Sequence, residues 1–160
     1  VTRTVDIVVE APGWRNVPDA ESTARRAVEA AMTAADADGE IGVVLADDAA
    51  VRAANRRWRG KDSPTNVLSF PSPFAAPSGT RFLGDIMLAL ETVTREADSE
   101  GKPVGQHLAH LAVHGTLHLL GYDHENEAEA ETMERFEIEI LAQIGLPDPY
   151  AAQETRTEPA

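Results

Sequence analysis

His114-Gly115-Thr116-Leu117-His118-Leu119-Leu120-Gly121-Tyr122-Asp123-His124 is the stretch around which the chain is organised. Two histidines at i and i+4 project from one face of a helix. Gly121 is able to take the left-handed conformation that ends a helix, so the chain turns back and His124 faces the same point. Three imidazoles so arranged suit one zinc ion, and they leave a fourth tetrahedral position for water, the pattern of a catalytic rather than a structural zinc. The remaining residues of the stretch are mostly apolar, which places this histidine-bearing helix in the core.

Working back along the same helix, His107 and His110 lie with His114 and His118 in an arc of about 80° on a helical wheel. They sit roughly 6–10 Å further along the axis, too far to share a metal with His124. They are read as hydrogen-bonded core residues. The spacing His114, His118, Gly121, His124 also matches part of the extended zinc-peptidase signature. That signature places a glutamate after the first histidine as general base, whereas Gly115 stands here. A peptidase would need Asp123 or a substrate group in its stead.

Outward from the histidine helix, hydrophobic periodicity predicts an α+β domain with a four-stranded mixed sheet and about five helices. Strands are expected at Val5–Val9, Ile41–Leu45, Asn66–Phe70 and Phe82–Leu90, with Gly84 marking a bulge in the last. Helices are expected from Asp19 to about Ala35, from a cap at Asp47 or Asp48 to Gly60, at Glu91–Ser99, at Val104–Leu120 and at Glu127–Ile144. In the last helix Met133, Phe136, Ile140 and Ile144 form the apolar stripe, and the glutamates are assigned to the opposite face. Pro71–Thr80 reads as a mobile loop. A single domain over residues 1–148 is expected, followed by a disordered tail over 149–160.

The 160 residues include no cysteine, which excludes a disulfide framework and any thiolate metal site and fits a reducing compartment. No N-terminal signal pattern and no membrane-length apolar run is visible, so a soluble cytoplasmic protein is expected. The net charge of −13 argues at first against a nucleic-acid partner. The charge is uneven, however. Residues 125–160 hold ten acids and two bases, while Arg52, Arg56, Arg57, Arg59 and Lys61 form a dense basic cluster. Such a patch binds phosphate locally even on an acidic protein; the alternative is a solvated helix face. Trp14 and Trp58 are either stacking platforms for bases or, as preferred here, core residues.

The histidine stretch, with its Leu120-Gly121-Tyr122-Asp123-His124 ending, resembles the YbeY family of bacterial endoribonucleases, the rRNA maturation factors. A second block agrees, running from Asn55 through Trp58-Arg59-Gly60-Lys61-Asp62, Pro64-Thr65 and Val67-Leu68-Ser69-Phe70-Pro71. A third is Leu83-Gly84-Asp85-Ile86. The likeness spans roughly residues 5–145. One departure is Asn66, where the family usually has aspartate, so no ionised carboxylate role is assigned there. The resemblance implies one zinc per chain held by His114, His118 and His124, cleavage of single-stranded RNA, 16S rRNA 3′-end processing and ribosome quality control. It also implies ribosomal partners and a functional Arg59 near the metal, with no DNA or membrane partner.

Zinc chemistry then suits phosphodiester hydrolysis, with His114 and Arg59 as the residues carrying it and Arg59 clamping phosphate. Arg57 and Lys61 are candidates for further phosphate contacts. Asp85 and Asp123 are candidates for hydrogen-bond acceptors that orient a ligand histidine, with a strand or turn role as the alternative. Thr65 and Ser69 are assigned to strand ends. Two rivals remain open on sequence: a zinc peptidase-like hydrolase, and a non-catalytic ribosome-assembly factor with structural zinc.

Overall fold

A computed structural model describes residues 2–72 and 81–151. Its strands are β1 (Arg3–Val9), β2 (Gly39–Ala46), β3 (Val67–Pro71) and β4 (Phe82–Ala89). Its helices are α1 (Ala20–Ala34), α2 (Asp48–Arg59), α3 (Leu90–Glu100), α4 (Val104–Leu119) and α5 (Glu127–Gln143), with a short 3-10 turn at Pro12–Asn16. The sheet order is β1-β2-β4-β3; the first three strands run parallel and β3 is antiparallel on β4. The α+β domain with a mixed four-stranded sheet and five α-helices is therefore present among the described residues.

Alternation along the strands divides the sheet into two faces. Ile41, Val43 and Leu45 of β2 and Ile86 and Leu88 of β4 point into the main core with α1 and α4. Leu108, Ala112, Val113 and Leu117 of α4 are all fully buried, as a central helix requires. On the other face, α2 covers Ala46, Leu68 and Ala89 through Val51. The β-bulge sits where expected: Glu40 pairs with Phe82 and Ile41 with Gly84, so Leu83 is the extra residue. Gly84 is also needed there, since its φ is +145° and a Cβ would fall on the Phe70 carbonyl oxygen.

Of the two candidate caps for α2, Asp47 serves: its Oδ1 accepts the Ala50 N–H at 2.8 Å. Trp14 is a core residue, 1% exposed, and its indole N–H donates to the Ala46 carbonyl at 2.7 Å. Trp58 is not; it is 67% exposed. The Val51, Asn55, Trp58 spacing continues one helix face, and that face is buried only at its first two members. The last turn of α2 thus runs past the sheet that would have covered the indole.

The mobile loop expected at 71–80 lies outside the described residues beyond Ser72, as does the tail beyond Ala151. Pro149 and Tyr150, expected in that tail, are instead held: the Pro149 carbonyl accepts Lys102 Nζ at 3.2 Å and the Tyr150 hydroxyl donates to Glu137 at 2.5 Å. No helix among the described residues is long and apolar enough to cross a membrane.

Candidate metal centre and its cleft

The end of α4 is a Schellman turn. Gly121, at φ +98°, donates its N–H to the His118 carbonyl at 3.1 Å, and Tyr122 donates to Leu117 at 3.0 Å. Tyr122 then packs against Phe136 of α5, with ring centroids 5.4 Å apart. This reversal brings His124 back over the last turn of the helix. His114 and His118 rings are 4.6 Å apart between centroids, and His124 lies 5.6 Å from the first and 5.0 Å from the second.

Each of the three histidines offers a ring nitrogen, and these atoms all lie within 4.8 Å of one another. His114 Nε2 and His118 Nε2 are 3.1 Å apart. Two nitrogens of a tetrahedral zinc at the usual bond length are separated by about 3.3 Å, so the His114–His118 pair is spaced for one divalent cation, with a His124 ring nitrogen within 4.8 Å of both. The His118 pKa is lowered, by burial first and then by the positive field of His114 and His124, against weaker opposition from Asp123 and Glu137. A histidine so placed is neutral near pH 7, the form that binds metal.

Glu137 is the residue the sequence reading placed wrongly. Periodicity assigns it to the solvated face of α5, yet it is 1% exposed. Its Oε2 accepts from His114 Nδ1 at 2.8 Å, and its Oε1 accepts from His110 Nε2 at 2.6 Å and from the Tyr150 hydroxyl. Burial alone would raise its pKa, but the hydrogen bonds and charges of His110 and His114 prevail and lower it to about 2. The ionised carboxylate can only accept, so it holds the His114 proton on Nδ1 and leaves Nε2 bare toward the metal position. Burial, then Glu137, pushes the Tyr150 hydroxyl upward, keeping it a donor. A signal was present: Glu137 follows Met133 by four residues and precedes Ile140 by three, inside the apolar stripe.

The three histidines line a cleft of about 560 Å³ together with Arg59, Thr65, Asn66 and Ser69. Arg59 ends α2, where Gly60 at φ +71° caps the helix and its N–H bonds to the Arg56 carbonyl. Ser69 is more than a strand end, since its Oγ donates to the Gly115 carbonyl at 2.9 Å and ties β3 to α4. Gly115 itself is wedged: a Cβ there would stand 3.0 Å from Ile86, 3.1 Å from Val67 and 3.2 Å from Ser69. The position that carries the peptidase glutamate therefore faces the sheet, where even a Cβ is crowded.

The other candidates are dispersed. Asp123 lines the cleft, but its Oδ1 accepts the backbone N–H of His124 at 2.7 Å, the turn role. Asp85 lies on the far face of the sheet, where its Oδ1 fills the space a Gly42 Cβ would take, so it does not orient a ligand histidine. Arg57 and Lys61 are exposed and stand outside the cleft wall. His107 and His110 are hydrogen-bonded helix residues, His107 to Glu96 at 2.8 Å. Asn66 lines the cleft and donates its amide to Glu96 at 3.1 Å.

The family model described as Endoribonuclease YbeY matches residues 13–145. A protein named Endoribonuclease YbeY from Bradyrhizobium sp. is 53% identical over 159 residues, covering 94% of each chain. One of the same name from Rhodopseudomonas palustris is 56% identical over 155 residues, covering 93% of this chain and 82% of its own. A solution structure of a Thermotoga maritima protein aligns with a TM-score of 0.52 over 98% of this chain and 99% of that one; at 20% identity it speaks for the fold alone.

Proposed function

This chain belongs to the endoribonuclease YbeY family, and on that premise we propose that it hydrolyses single-stranded RNA, with rRNA as its physiological substrate, at the cleft between α4 and Arg59. The observation that carries the reading is the convergence of His114, His118 and His124 on one point in an open cleft that also receives an arginine.

His114, His118 and His124 would hold one zinc ion through their ring nitrogens. When bound, the ion supplies Lewis acidity toward a phosphoryl oxygen and toward water. Arg59 binds the scissile phosphate through its planar guanidinium, and its fixed charge favours the more highly charged transition state. Among the described residues it forms no ion pair with a carboxylate. Glu137 keeps the Nδ1 proton on His114 and with it the aim of Nε2. Asn66 and Ser69 form the polar wall along which the strand lies.

The rival readings lose ground on particular atoms. Gly115 is packed against β3 and β4, which leaves a peptidase without its base. A purely structural zinc is enclosed by four protein ligands, whereas among the described residues this site gathers three and opens on the cleft. The family reading extends to a place in 16S rRNA 3′-end maturation and ribosome quality control in the cytoplasm, with ribosomal components as partners.

The test compares wild type, His114→Ala and Arg59→Glu in metal content and in cleavage of a short single-stranded rRNA fragment. His114→Ala should lose both metal and cutting. Arg59→Glu should keep the metal and lose cutting. Equal cleavage by all three would overturn the assignment, and casein hydrolysis by wild type alone would restore the peptidase.

A further inference from the structure

Trp58 is one of two large apolar side chains that stand exposed among the described residues. The helix face it continues is buried at Val51 and Asn55, so the indole is carried beyond the sheet by the last turn of α2. It is nonetheless not bare, because the Arg57 guanidinium carbon lies 5.1 Å from its ring centroid. Arg59 follows immediately and lines the metal cleft. Consecutive helix residues diverge by about 100°, which puts Trp58 on the shoulder of the cleft rather than in it.

The charge around the indole is equally unusual. Arg52 is neutralised by Asp62 through two contacts at 2.9 and 3.2 Å. Arg57, Arg59 and Lys61 have no ion-pair partner among the described residues. A chain of net charge −13 thus gathers unpaired cations beside one exposed aromatic ring at the rim of its cleft. Cations with no carboxylate partner among the described residues suit a polyanion, and an aromatic face stacks any nucleobase irrespective of sequence.

We propose that Trp58, backed by Arg57, is a stacking platform for a nucleobase of single-stranded RNA whose neighbouring phosphate lies at Arg59. This rests on the RNA reading of the cleft. Arg57 holds the ring and contributes charge above it, and Lys61 contacts the backbone on the outer side.

The experiment measures binding of the metal-loaded protein to a phosphorothioate single-stranded oligoribonucleotide, which resists hydrolysis, and to an abasic oligomer of equal length and charge. Wild type, Trp58→Phe, Trp58→Ala and Lys61→Gln are compared across a salt series. Trp58→Ala should weaken binding of the base-bearing oligomer about ten-fold and leave the abasic one unchanged. Its salt slope should match wild type, whereas Lys61→Gln should flatten the slope. Trp58→Phe should retain most of the affinity. Metal content and thermal midpoint should be unchanged in Trp58→Ala, since the side chain is exposed. Wild-type affinity of Trp58→Ala for both oligomers overturns the proposal, as it would if the indole served a protein partner, while leaving the RNA reading intact. Failure of wild type to bind either oligomer overturns the RNA reading and this proposal with it.

Discussion

Glu137 carries more of the site than any residue outside the three histidines. It is a buried anion whose oxygens take hydrogen bonds from His110, His114 and Tyr150. Such a charge is tolerable only because its partners replace the water it has lost. Glu137→Gln keeps the shape but presents an amide, which is able to donate toward His114 Nδ1 and favour the wrong tautomer. Metal affinity, measured by competition with a chromogenic chelator, should fall by about ten- to a hundred-fold. Unchanged affinity would show that His114 is positioned by α4 alone. Gly115 teaches the complementary point. The sequence reading noted the missing glutamate; the packing against Ile86, Val67 and Ser69 explains why the position must be small. A motif match of three histidines and a glycine was legible, but the cause of its one departure lay in residues 29 to 48 positions away.

At the scale of elements, the turn after α4 makes the metal centre. Helical spacing aligns His114 and His118 without help, but His124 depends on a residue at φ +98° to reverse the chain. A Cβ at Gly121 meets nothing within 4 Å, so a substitution there costs backbone strain rather than a clash. Gly121→Val should destabilise the protein by about 1–2 kcal/mol in urea unfolding. It should also weaken metal binding more than a surface change of equal stability cost, because His124 swings away with the turn. Equal effects on stability and on metal binding would detach the turn from the site. The element pattern itself was readable from periodicity, including the Gly84 bulge and the choice of Asp47 or Asp48 as cap. Trp58 was misjudged because spacing reports which face a residue shares, not where the neighbouring sheet ends.

Over the whole molecule, the two faces of the sheet are unequal. One is sealed by α1 and α4; the other is covered by α2 toward β3 and left open at β1, where Val8 is 53% exposed. Asp85 lies on this second face, and burial raises its pKa above the ordinary 3.8. The sign follows from linkage. The folded state holds this proton more tightly than the unfolded state, so the contribution favours folding below the unfolded pKa and is lost as pH rises through the folded one. Asp85→Asn should therefore raise the thermal midpoint relative to wild type at pH 7, and the gain should shrink below about pH 4. A gain that persists at pH 3 would point to a cause other than the charge. The chain's own order determined the helices, the strands, the three ligands and the family resemblance, because those depend on periodicities of two and 3.6 residues and on spacings within one segment. Glu137 and Tyr150 behind His114, Asp85 turned away from the histidines and the uncovered Trp58 were decided only when distant segments packed, since burial and partner choice are properties of the assembled neighbours and not of any local stretch.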